Sequence, residues 1–326
     1  MKSSFFRISD GDFLPKDLKN VVVAIGNFDG VHLGHQHLLA QALKKAQEIK
    51  GDAIILTFEP HPKSFFQKQQ DLQRLTEAEE KAKILEILGF RGIIEQNFDS
   101  AFAKRDAYWF IEEYLCKKLK AKAVIVGSDF CFGAQRQGDI KFLQAQAKKH
   151  RFFLEVVPLL HDQQQNLISS SRVRTLLAQG DVETVARLLN YRYNYVGIVQ
   201  HGAKLGRTIG FPTANIKFKA GVLAYGIYAI RLRCENGRLF DGVASIGVRP
   251  TIEEEGAPIL ECHLFNYFGN LYGKKVRVAF FSYLRPELKF ANLTLLVKQI
   301  EKDVVFSQDI LKNATALSKL DRILNF

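Results

Sequence analysis

The sequence lacks the features that mark a membrane-spanning, secreted or zinc-stapled chain. Its 326 residues include only four cysteines, and Cys116, Cys131, Cys234 and Cys262 form no C-x-x-C pair. This pattern argues against a zinc ribbon or a thioredoxin motif and favours reduced thiols. No apolar run approaches the roughly 18 residues of a transmembrane helix, and no apolar core of signal-peptide length precedes Asp10. We therefore expect a cytoplasmic protein with no membrane partner.

Blocks of like charge are also missing, although the chain is basic. The formal net charge is +12, from 46 Lys and Arg against 34 Asp and Glu, yet no five or six like charges are consecutive. The excess of positive charge favours anionic partners such as nucleic acid, phosphorylated metabolites or acidic lipid, or it is spread over a solvated surface. Composition does not choose between RNA and nucleotide substrates, but no nucleic-acid arm is present.

The first half of the chain alternates short apolar runs with helical patterns. The predicted strands are Val21–Ile25, Ala53–Phe58, Gly92–Glu95, Ala123–Val126 and Phe153–Val157. The predicted helices are His35–Lys50, a helix through Leu88 opened by a Thr76/Glu79 capping box, Asp106–Leu119, Asp139–Lys149, and two short helices near Ser171–Ala178 and Asp181–Leu189. Strands that recur about every 30 residues predict an α/β domain with a parallel sheet covered by helices on both faces.

From about Tyr193 the pattern becomes β-rich. The predicted strands are Tyr193–Val199, Ile227–Arg233, Leu239–Ile246, Ile259–Phe265 and Lys275–Phe281, with turns at Gly202, Gly206, Asn236-Gly237, Gly256 and Asn270. A final amphipathic helix is predicted over Leu293–Phe306. We expect an all-β domain here, a small antiparallel β-barrel with a terminal helix, and two domains that span 1–190 and 191–326.

The string from Gly26 to His35 connects the first predicted strand to the first predicted helix. Gly30 and Gly34 allow a ligand to approach the backbone closely, and the helix N-terminus offers free N–H groups that suit phosphate. His32 and His35 are three residues apart, so both imidazoles are expected on one face of the first turn. The ten-residue string resembles the HxGH signature of the nucleotidyltransferase superfamily, which also contains class I aminoacyl-tRNA synthetases.

A second phosphate-binding segment is predicted at Ser169–Arg174. Three hydroxyls, the N–H groups of a helix start and the Arg174 guanidinium suit a triphosphate, although an N-terminal cap alone also explains the serines. Phe58, Phe130 and Phe132 follow predicted strands, at the edge where open α/β sheets bind ligands. They are candidates to line a flat aromatic ligand, with ordinary core packing as the alternative.

A third candidate site opens the β-rich half, at Gly206–Asn215. The string is neither a Walker loop nor G-x-G-x-x-G, but its glycines suit a flap over phosphates. Thr213 and Asn215 offer two neutral oxygens on one face of an extended segment, which with nucleotide phosphates suit Mg²⁺. Glu261 is an unexpected carboxylate within a predicted strand and a candidate general base toward an alcohol, with a surface glutamate as the alternative.

Over essentially its whole length the chain resembles the prokaryotic bifunctional riboflavin kinase/FAD synthetase family. The strings that carry this resemblance are Gly26–His35, Thr57–Pro62, Val126–Gly133, Ile168–Arg174, Gly206–Asn215, Ser245–Thr251, Glu261–His263 and Leu271–Gly273. The resemblance implies a Rossmann-like nucleotidyltransferase domain followed by a riboflavin-kinase barrel. It also implies that ATP phosphorylates the 5′-hydroxyl of riboflavin to FMN, and that a second ATP adenylates FMN to FAD with release of pyrophosphate.

The resemblance further implies residue roles. In the adenylyltransferase His32 and His35 would steady the α-phosphorus and the leaving pyrophosphate; the ATP and phosphate site would comprise Gly26, Phe28, Gly34, Asp129, Ser170, Ser171 and Arg174; and FMN would contact Phe58, Pro60 and Phe130. In the kinase the ATP site would comprise Gly206, Gly210, Thr213 and Asn215, with Mg²⁺ or another divalent cation on the last two and Glu261 as the base. Riboflavin, FMN, FAD and ATP are the implied partners, without nucleic acid, and at most weak self-association.

Two departures from the family pattern affect only loop details. Leu223 stands where the family usually has Pro before Gly-Val-Tyr, and Ser245 stands where Asn often precedes Ile-Gly. Two other functions remain open from the residues alone. In the first, the chain is an RNA-binding relative of tRNA synthetases, and the barrel is its RNA-binding module. In the second, the chain is an adenylyltransferase whose barrel only binds flavin as a regulator. Steep salt-dependent RNA affinity would support the first, and failure of the barrel to consume riboflavin the second.

Overall fold

The computed structural model describes residues 4–9, 12–66, 73–202, 205–219, 222–248 and 258–326. They form two compact units, Met1–Ser170 and Ser171–Phe326. Among these residues no helix is both long enough and apolar enough to span a lipid bilayer. The predicted turn at Gly256 and the end of the Ser245–Thr251 string lie outside the described residues.

The N-terminal unit is built on a parallel sheet of six strands in the order β1-β4-β3-β2-β5-β6. The strands are β1 (Phe6–Ser9), β2 (Val22–Ile25), β3 (Ala53–Glu59), β4 (Gly92–Asn97), β5 (Ala123–Gly127) and β6 (Phe153–Val157). All five predicted strands are confirmed, and β1 was missed. It is a short edge strand whose side chains are all partly or fully exposed, so it carries no apolar run.

Helices connect these strands. They are α1 (Leu33–Glu48), α2 (Pro62–Phe66), α3 (Ala78–Leu88), α4 (Ser100–Ala103), α5 (Ala107–Trp109, continued by a π-helical segment Phe110–Lys118) and α6 (Ile140–His150). Asp106 and Asp139 cap the helices that the sequence predicted to begin there, each accepting a backbone N–H three residues on.

The predicted Thr76/Glu79 capping box is wrong. The residue before α3 is Glu77, whose side chain makes no capping hydrogen bond. Thr76 instead turns toward the loop after β2, where its N–H donates to Asp29 Oδ1 (3.1 Å) and its hydroxyl accepts the N–H of Gly30 (3.1 Å). A tertiary partner has therefore replaced the local cap.

The C-terminal unit is a closed antiparallel barrel in the order β10-β11-β8-β7-β12-β9. Its strands are β7 (Asn194–Gln200), β8 (Thr213–Lys217), β9 (Gly226–Cys234), β10 (Leu239–Val248), β11 (Pro258–Leu264) and β12 (Lys275–Arg285). The five predicted strands are confirmed, as is the Asn236-Gly237 hairpin turn, where Gly237 has a φ of 82°. The sixth strand, β8, was predicted only as an extended segment.

The helices of this unit are α7 (Ser170–Ala178), α8 (Val182–Leu189), α9 (Leu205–Thr208), α10 (Leu293–Asn313) and α11 (Lys319–Asn325). The predicted terminal helix extends further than expected, and α11 was missed. Asp321 of α11 is fully buried and accepts the N–H of Arg192 (2.9 Å), while its other oxygen pairs with the guanidinium of Arg192. This buried ion pair connects α11 to the segment just before β7, the first strand of the barrel.

Candidate active sites

The strand order fixes where the N-terminal unit can bind a ligand. β2 and β5 are neighbours in the sheet. The strand that follows β2 in the chain, β3, lies toward one edge of the sheet, whereas the strand that follows β5, β6, lies at the opposite edge. In open parallel sheets ligands bind in the crevice outside the carboxyl ends of such a pair. Gly26 follows β2 and Asp129 follows β5, so both predicted segments border this crevice.

His32 and His35 form a stacked pair at the amino end of α1. Their ring centroids are 3.6 Å apart with the planes 16° from parallel, and Phe28 meets His35 edge-on. His32 is the N-cap of α1, because its Nδ1 accepts the N–H of His35 (3.3 Å). The prediction that both imidazoles share one face of the first turn is confirmed.

Both histidines are held in the neutral form. Burial lowers the pKa of His32 to about 4. Burial also lowers the pKa of His35 well below its ordinary value, and the nearby His32 and Lys81 lower it further. Among the described residues, Nδ1 of His35 and Oδ1 of Asn27 are buried polar atoms without a hydrogen-bond partner. Such atoms at a helix N-terminus are suited to a polar ligand.

Tertiary hydrogen bonds at Asp29 hold the turn. Asp29 is buried, and its Oδ1 accepts the N–H of Leu75 (3.0 Å) as well as that of Thr76. The hydroxyl of Ser170 donates to the carbonyl oxygen of Asp29 (2.8 Å), which joins the second predicted phosphate segment to the first. Asp29 was quoted only as part of the string, and its role as an anchor was not predicted.

Aromatic rings of the turn itself leave little room for a Cβ at two of its glycines. A Cβ on Gly26 would lie 3.0 Å from the ring of Phe28, and a Cβ on Gly34 would lie 3.2 Å from the ring of His32. Gly30 has a φ of 80°, which favours glycine. The ring of Phe28 is buried and lies against Gly26.

The remaining predicted residues surround the strand ends. Asp129 is exposed, and its Oδ1 would lie 2.9 Å from a Cβ on Gly127, so the carboxylate folds over the end of β5. Phe58 and Phe130 are half-buried and pack against the core, whereas Phe132 is buried. Pro60 is exposed and follows a cis peptide bond. Contact of these side chains with a flavin stays a prediction.

Ser170 is the first residue of α7. Ser171 is exposed, Arg174 is half-buried, and both lie on α7 in the second unit. The structure therefore ties Ser170 directly to the turn, while the roles of Ser171 and Arg174 stay predictions.

A buried lysine at this site was not predicted. Lys81 of α3 is 5% exposed, and its ammonium donates to Asn27 O (3.2 Å), Thr57 Oγ1 (3.1 Å) and Glu59 Oε1 (3.1 Å). Arg74 pairs with the other oxygen of Glu59 (2.5 Å). Burial opposes the charge of Glu59, but Lys81 and Arg74 together lower its pKa. A sequence signal existed, because Lys81 occupies the same helical face as buried Ile84 and Leu85.

The second candidate site lies on the wall of the barrel. Asn215 of β8 is directly opposite Glu261 of β11, and Thr213 is opposite His263. Asn215 is buried, and its Nδ2 donates to the backbone oxygen of Thr213 (3.4 Å), so the amide and the Thr213 backbone are linked along β8. Glu261 is half-buried and also faces Ser245 of β10. The fold thus brings together three residues predicted from two separate strings.

Glycines shape this site too. A Cβ on Gly202 would lie 2.6 Å from the carboxamide of Asn215, so this glycine, predicted only as a turn, gives Asn215 its space. A Cβ on Gly206 would collide with the backbone oxygen of Phe211. Gly210 has a φ of 88° and open space around it. Gly206 therefore lies in α9, close to the Phe211 carbonyl, and Gly210 lies in the bend between α9 and β8.

A second carboxylate near Glu261 was not predicted. The carboxylate of Glu287 occupies the place that a Cβ on Gly247 would take, next to the strand pair that carries Glu261. Burial raises the pKa of Glu287, and the charge of Glu261 raises it further. Glu287 lies beyond β12 in a segment without strand or helix pattern, so the sequence offered no signal for it.

The donor set at this site suits a hard cation shared with a ligand. In the part of the chain that the structure describes, no three His, Cys, Asp or Glu side chains cluster as a metal site. Thr213 and Asn215 instead offer neutral oxygens, which Mg²⁺ accepts when phosphates supply the other ligands.

At Leu223, where the family pattern has Pro, the side chain is buried.

Comparisons with known proteins match each half of the chain to a family. The family model for FAD synthetase matches residues 14–172, and that for riboflavin kinase matches residues 189–311. The bifunctional riboflavin kinase/FMN adenylyltransferase of Haemophilus influenzae is 41% identical over 288 residues, which cover 88% of this chain and 93% of the relative. The chain belongs to the bifunctional riboflavin kinase/FMN adenylyltransferase family.

Further relatives extend the match. The enzyme of the same name from Escherichia coli K12 is 35% identical over 289 residues, covering 88% of this chain and 92% of its own length. A crystal structure described as a macrolide-efflux protein from Streptococcus pneumoniae has a TM-score of 0.80 and 27% identity, covering 92% of this chain and 97% of that one. That description concerns the streptococcal protein, and the likeness supports the two-unit fold.

Members of this bifunctional family carry out two steps of flavin cofactor synthesis. ATP phosphorylates riboflavin to FMN, and a second ATP adenylates FMN to FAD and pyrophosphate. Riboflavin, FMN and ATP are therefore substrates of this chain, and ATP is the co-substrate of both steps. The prediction of a two-step flavin enzyme is confirmed, and the alternative in which the barrel only regulates is not supported.

Proposed function

We propose that the turn Gly26–His35 binds ATP for adenylyl transfer, and that Thr213, Asn215 and Glu261 carry the kinase step. The observation that supports the first assignment most strongly is the stacked His32–His35 pair at the amino end of α1, beside the crevice between β2 and β5. For the kinase it is the cross-strand register of Asn215 and Glu261.

In the adenylyl transfer, the charge of the triphosphate is met by the first turn of α1, by the two imidazoles and by Ser170. Contact of Ser171 and Arg174 with the phosphates stays a prediction. A neutral imidazole donates one N–H to a phosphate oxygen, and a bound polyphosphate opposes the burial that lowers the histidine pKa values. The FMN phosphate attacks the α-phosphorus in line, and the bond to pyrophosphate breaks. Positioning and charge stabilisation supply the catalysis, without a covalent protein intermediate.

The ligand pockets around this centre are assigned as follows. Phe28, Gly26 and Gly34 form the backbone and ring surface for ATP, and Asp129 borders the crevice from the end of β5. Half-buried Phe58 and Phe130, with exposed Pro60, supply apolar surface for the flavin at the neighbouring strand ends.

In the kinase step, Glu261 accepts the proton of the riboflavin 5′-hydroxyl, whose oxygen attacks the γ-phosphorus as ADP leaves. Thr213 Oγ1 and Asn215 Oδ1 would hold Mg²⁺, which neutralises charge on the ATP phosphates when bound. Gly206 in α9 and Gly210 in the bend before β8 border the nucleotide, and Gly210, with a φ of 88° and open space around it, gives that bend its freedom. The adenylyltransferase module spans 1–190 and the kinase module 191–326. A cytoplasmic location, no nucleic-acid partner and weak self-association at most stay predictions.

The assignment is tested by dissociating the two activities in the intact chain. His32→Ala should lower FAD formation from FMN by at least about 100-fold and leave FMN formation from riboflavin unchanged. Glu261→Ala should do the reverse. Exposed His37 and Glu235 supply matched controls, because His37→Ala and Glu235→Ala change neither rate. Loss of both products in each folded single variant would contradict the two-site assignment.

A further inference from the structure

The buried ammonium of Lys81 is not needed to satisfy its neighbours. Asn27 O also accepts the hydroxyl of Thr57 (3.3 Å), and Glu59 keeps the ion pair with Arg74. Each of the three residues that accept from Lys81 therefore has a second polar contact, which Glu59 makes through its other oxygen. Burying an ammonium is costly, and well-packed apolar side chains often replace a buried ion pair without loss of stability. Stability alone thus gives no reason for a lysine at this position.

The position of Lys81 instead connects it to the reaction centre. Its three donors reach the residue after Gly26 and the end of β3, so one side chain links the carboxyl ends of β2 and β3. With three acceptors for three protons, the ammonium has no donor left for a substrate. It therefore acts through the turn that it holds. In the described part of the chain, the neighbouring Asn27 Oδ1 and His35 Nδ1 are buried polar atoms without a hydrogen-bond partner.

We propose that Lys81 is a positioning residue for adenylyl transfer, which fixes the Asn27 carbonyl and sets the electrostatic environment of His35. This proposal rests on the assignment of FAD synthesis to the turn Gly26–His35. The charged and titratable groups around His35 are His32 at the N-cap of α1, Lys81 on α3 and Glu59 on β3. The Glu59 carboxylate offsets the charge of Lys81 and is shared with Arg74. Replacing Lys81 removes a positive charge that disfavours the imidazolium of His35.

The test compares Lys81→Met with Lys81→Arg in the full chain, and uses Lys83→Met as the matched control because Lys83 is exposed on the same helix. In Lys81→Met, kcat/KM for FAD formation should fall about 100-fold, while riboflavin phosphorylation is unchanged. The inflection of the pH profile, and the NMR titration of the His35 ring, should move to higher pH. Lys81→Arg should retain the inflection near that of the wild type.

Glu59→Gln provides a second test of the proposal, which can be measured even if the Lys81→Met variant does not fold. Removing this carboxylate leaves Lys81 less compensated, so the His35 titration should move to lower pH. An unchanged His35 titration in both variants, or equal losses of FAD and FMN formation, would overturn the proposal. If His35→Ala retains full FAD synthesis, the site assignment itself fails, which is a different result from an unmoved titration in an otherwise active site.

Discussion

His32 and His35 come from one turn of the chain, whereas Asn215 and Glu261 come from strands that are distant in sequence and meet because β8 pairs with β11. In the first site, one string supplies the helix end, the glycines and both imidazoles. In the second, each string alone supplies only a pair of neutral oxygens or a single carboxylate. A local site is thus recognised from its own string, while a site assembled by strand pairing requires the fold.

The largest expected effect concerns the burial of His32. Its pKa of about 4 lies below the ordinary 6.5, so the neutral form stabilises the folded state fully above pH 6.5. As the pH falls from 6.5 toward 4, the unfolded chain takes up the proton and roughly 3 kcal/mol of this contribution is lost. Urea unfolding of wild type and His32→Gln at several pH values measures the difference.

The stability gap between those two proteins should narrow as the pH falls, and His37→Gln should track the wild type because His37 is exposed. A gap that is constant from pH 7.5 to 4 would mean that the buried, neutral histidine does not distinguish the local site. The comparison between the local turn and the strand-assembled barrel site would then lose its electrostatic basis.

The sequence predicted the parts of the fold that rest on local patterns. Apolar runs identified five strands of each unit, and the HxGH string identified the stacked pair. β8 was not predicted as a strand because Thr213–Lys217 is polar at several positions, and its pairing with β11 is a tertiary fact. The Thr76 cap failed for the same reason, since the Asp29 carboxylate that competes for its N–H lies far away in the chain.

The next effect tests how the barrel site depends on residues outside its own strings. Gly202→Ala should push the carboxamide of Asn215 out of register with Glu261, because the new Cβ would lie 2.6 Å from it. We expect FMN formation to fall about 100-fold, as for a misplacement of roughly 1 Å, with FAD formation from FMN unchanged. Steady-state rates of both reactions provide the measurement.

Gly237→Ala is the control for that experiment. It strains a hairpin turn with a φ of 82° and open space around it, so it should lower stability slightly without a specific effect on the kinase. Full kinase activity in Gly202→Ala would show that Asn215 tolerates displacement, and would remove it from the proposed Mg²⁺-ATP ligands.

The smallest effect tests whether the local site is local after all. Thr76→Val keeps the shape of the side chain but removes the hydroxyl that accepts the Gly30 N–H and donates to Asp29 Oδ1 (3.4 Å). The turn therefore loses two hydrogen bonds to the loop that precedes α3. We expect kcat/KM for FAD formation to fall about tenfold, which corresponds to about 1.4 kcal/mol, with FMN formation unchanged. Thr76→Ser, which retains the hydroxyl, should recover most of the activity. Equal activity of the valine and serine variants would mean that the string Gly26–His35 holds its geometry without the Thr76 hydroxyl. The histidine site would then depend on its own string even more than the contacts of Thr76 suggest, in contrast to the barrel site, which requires strand pairing.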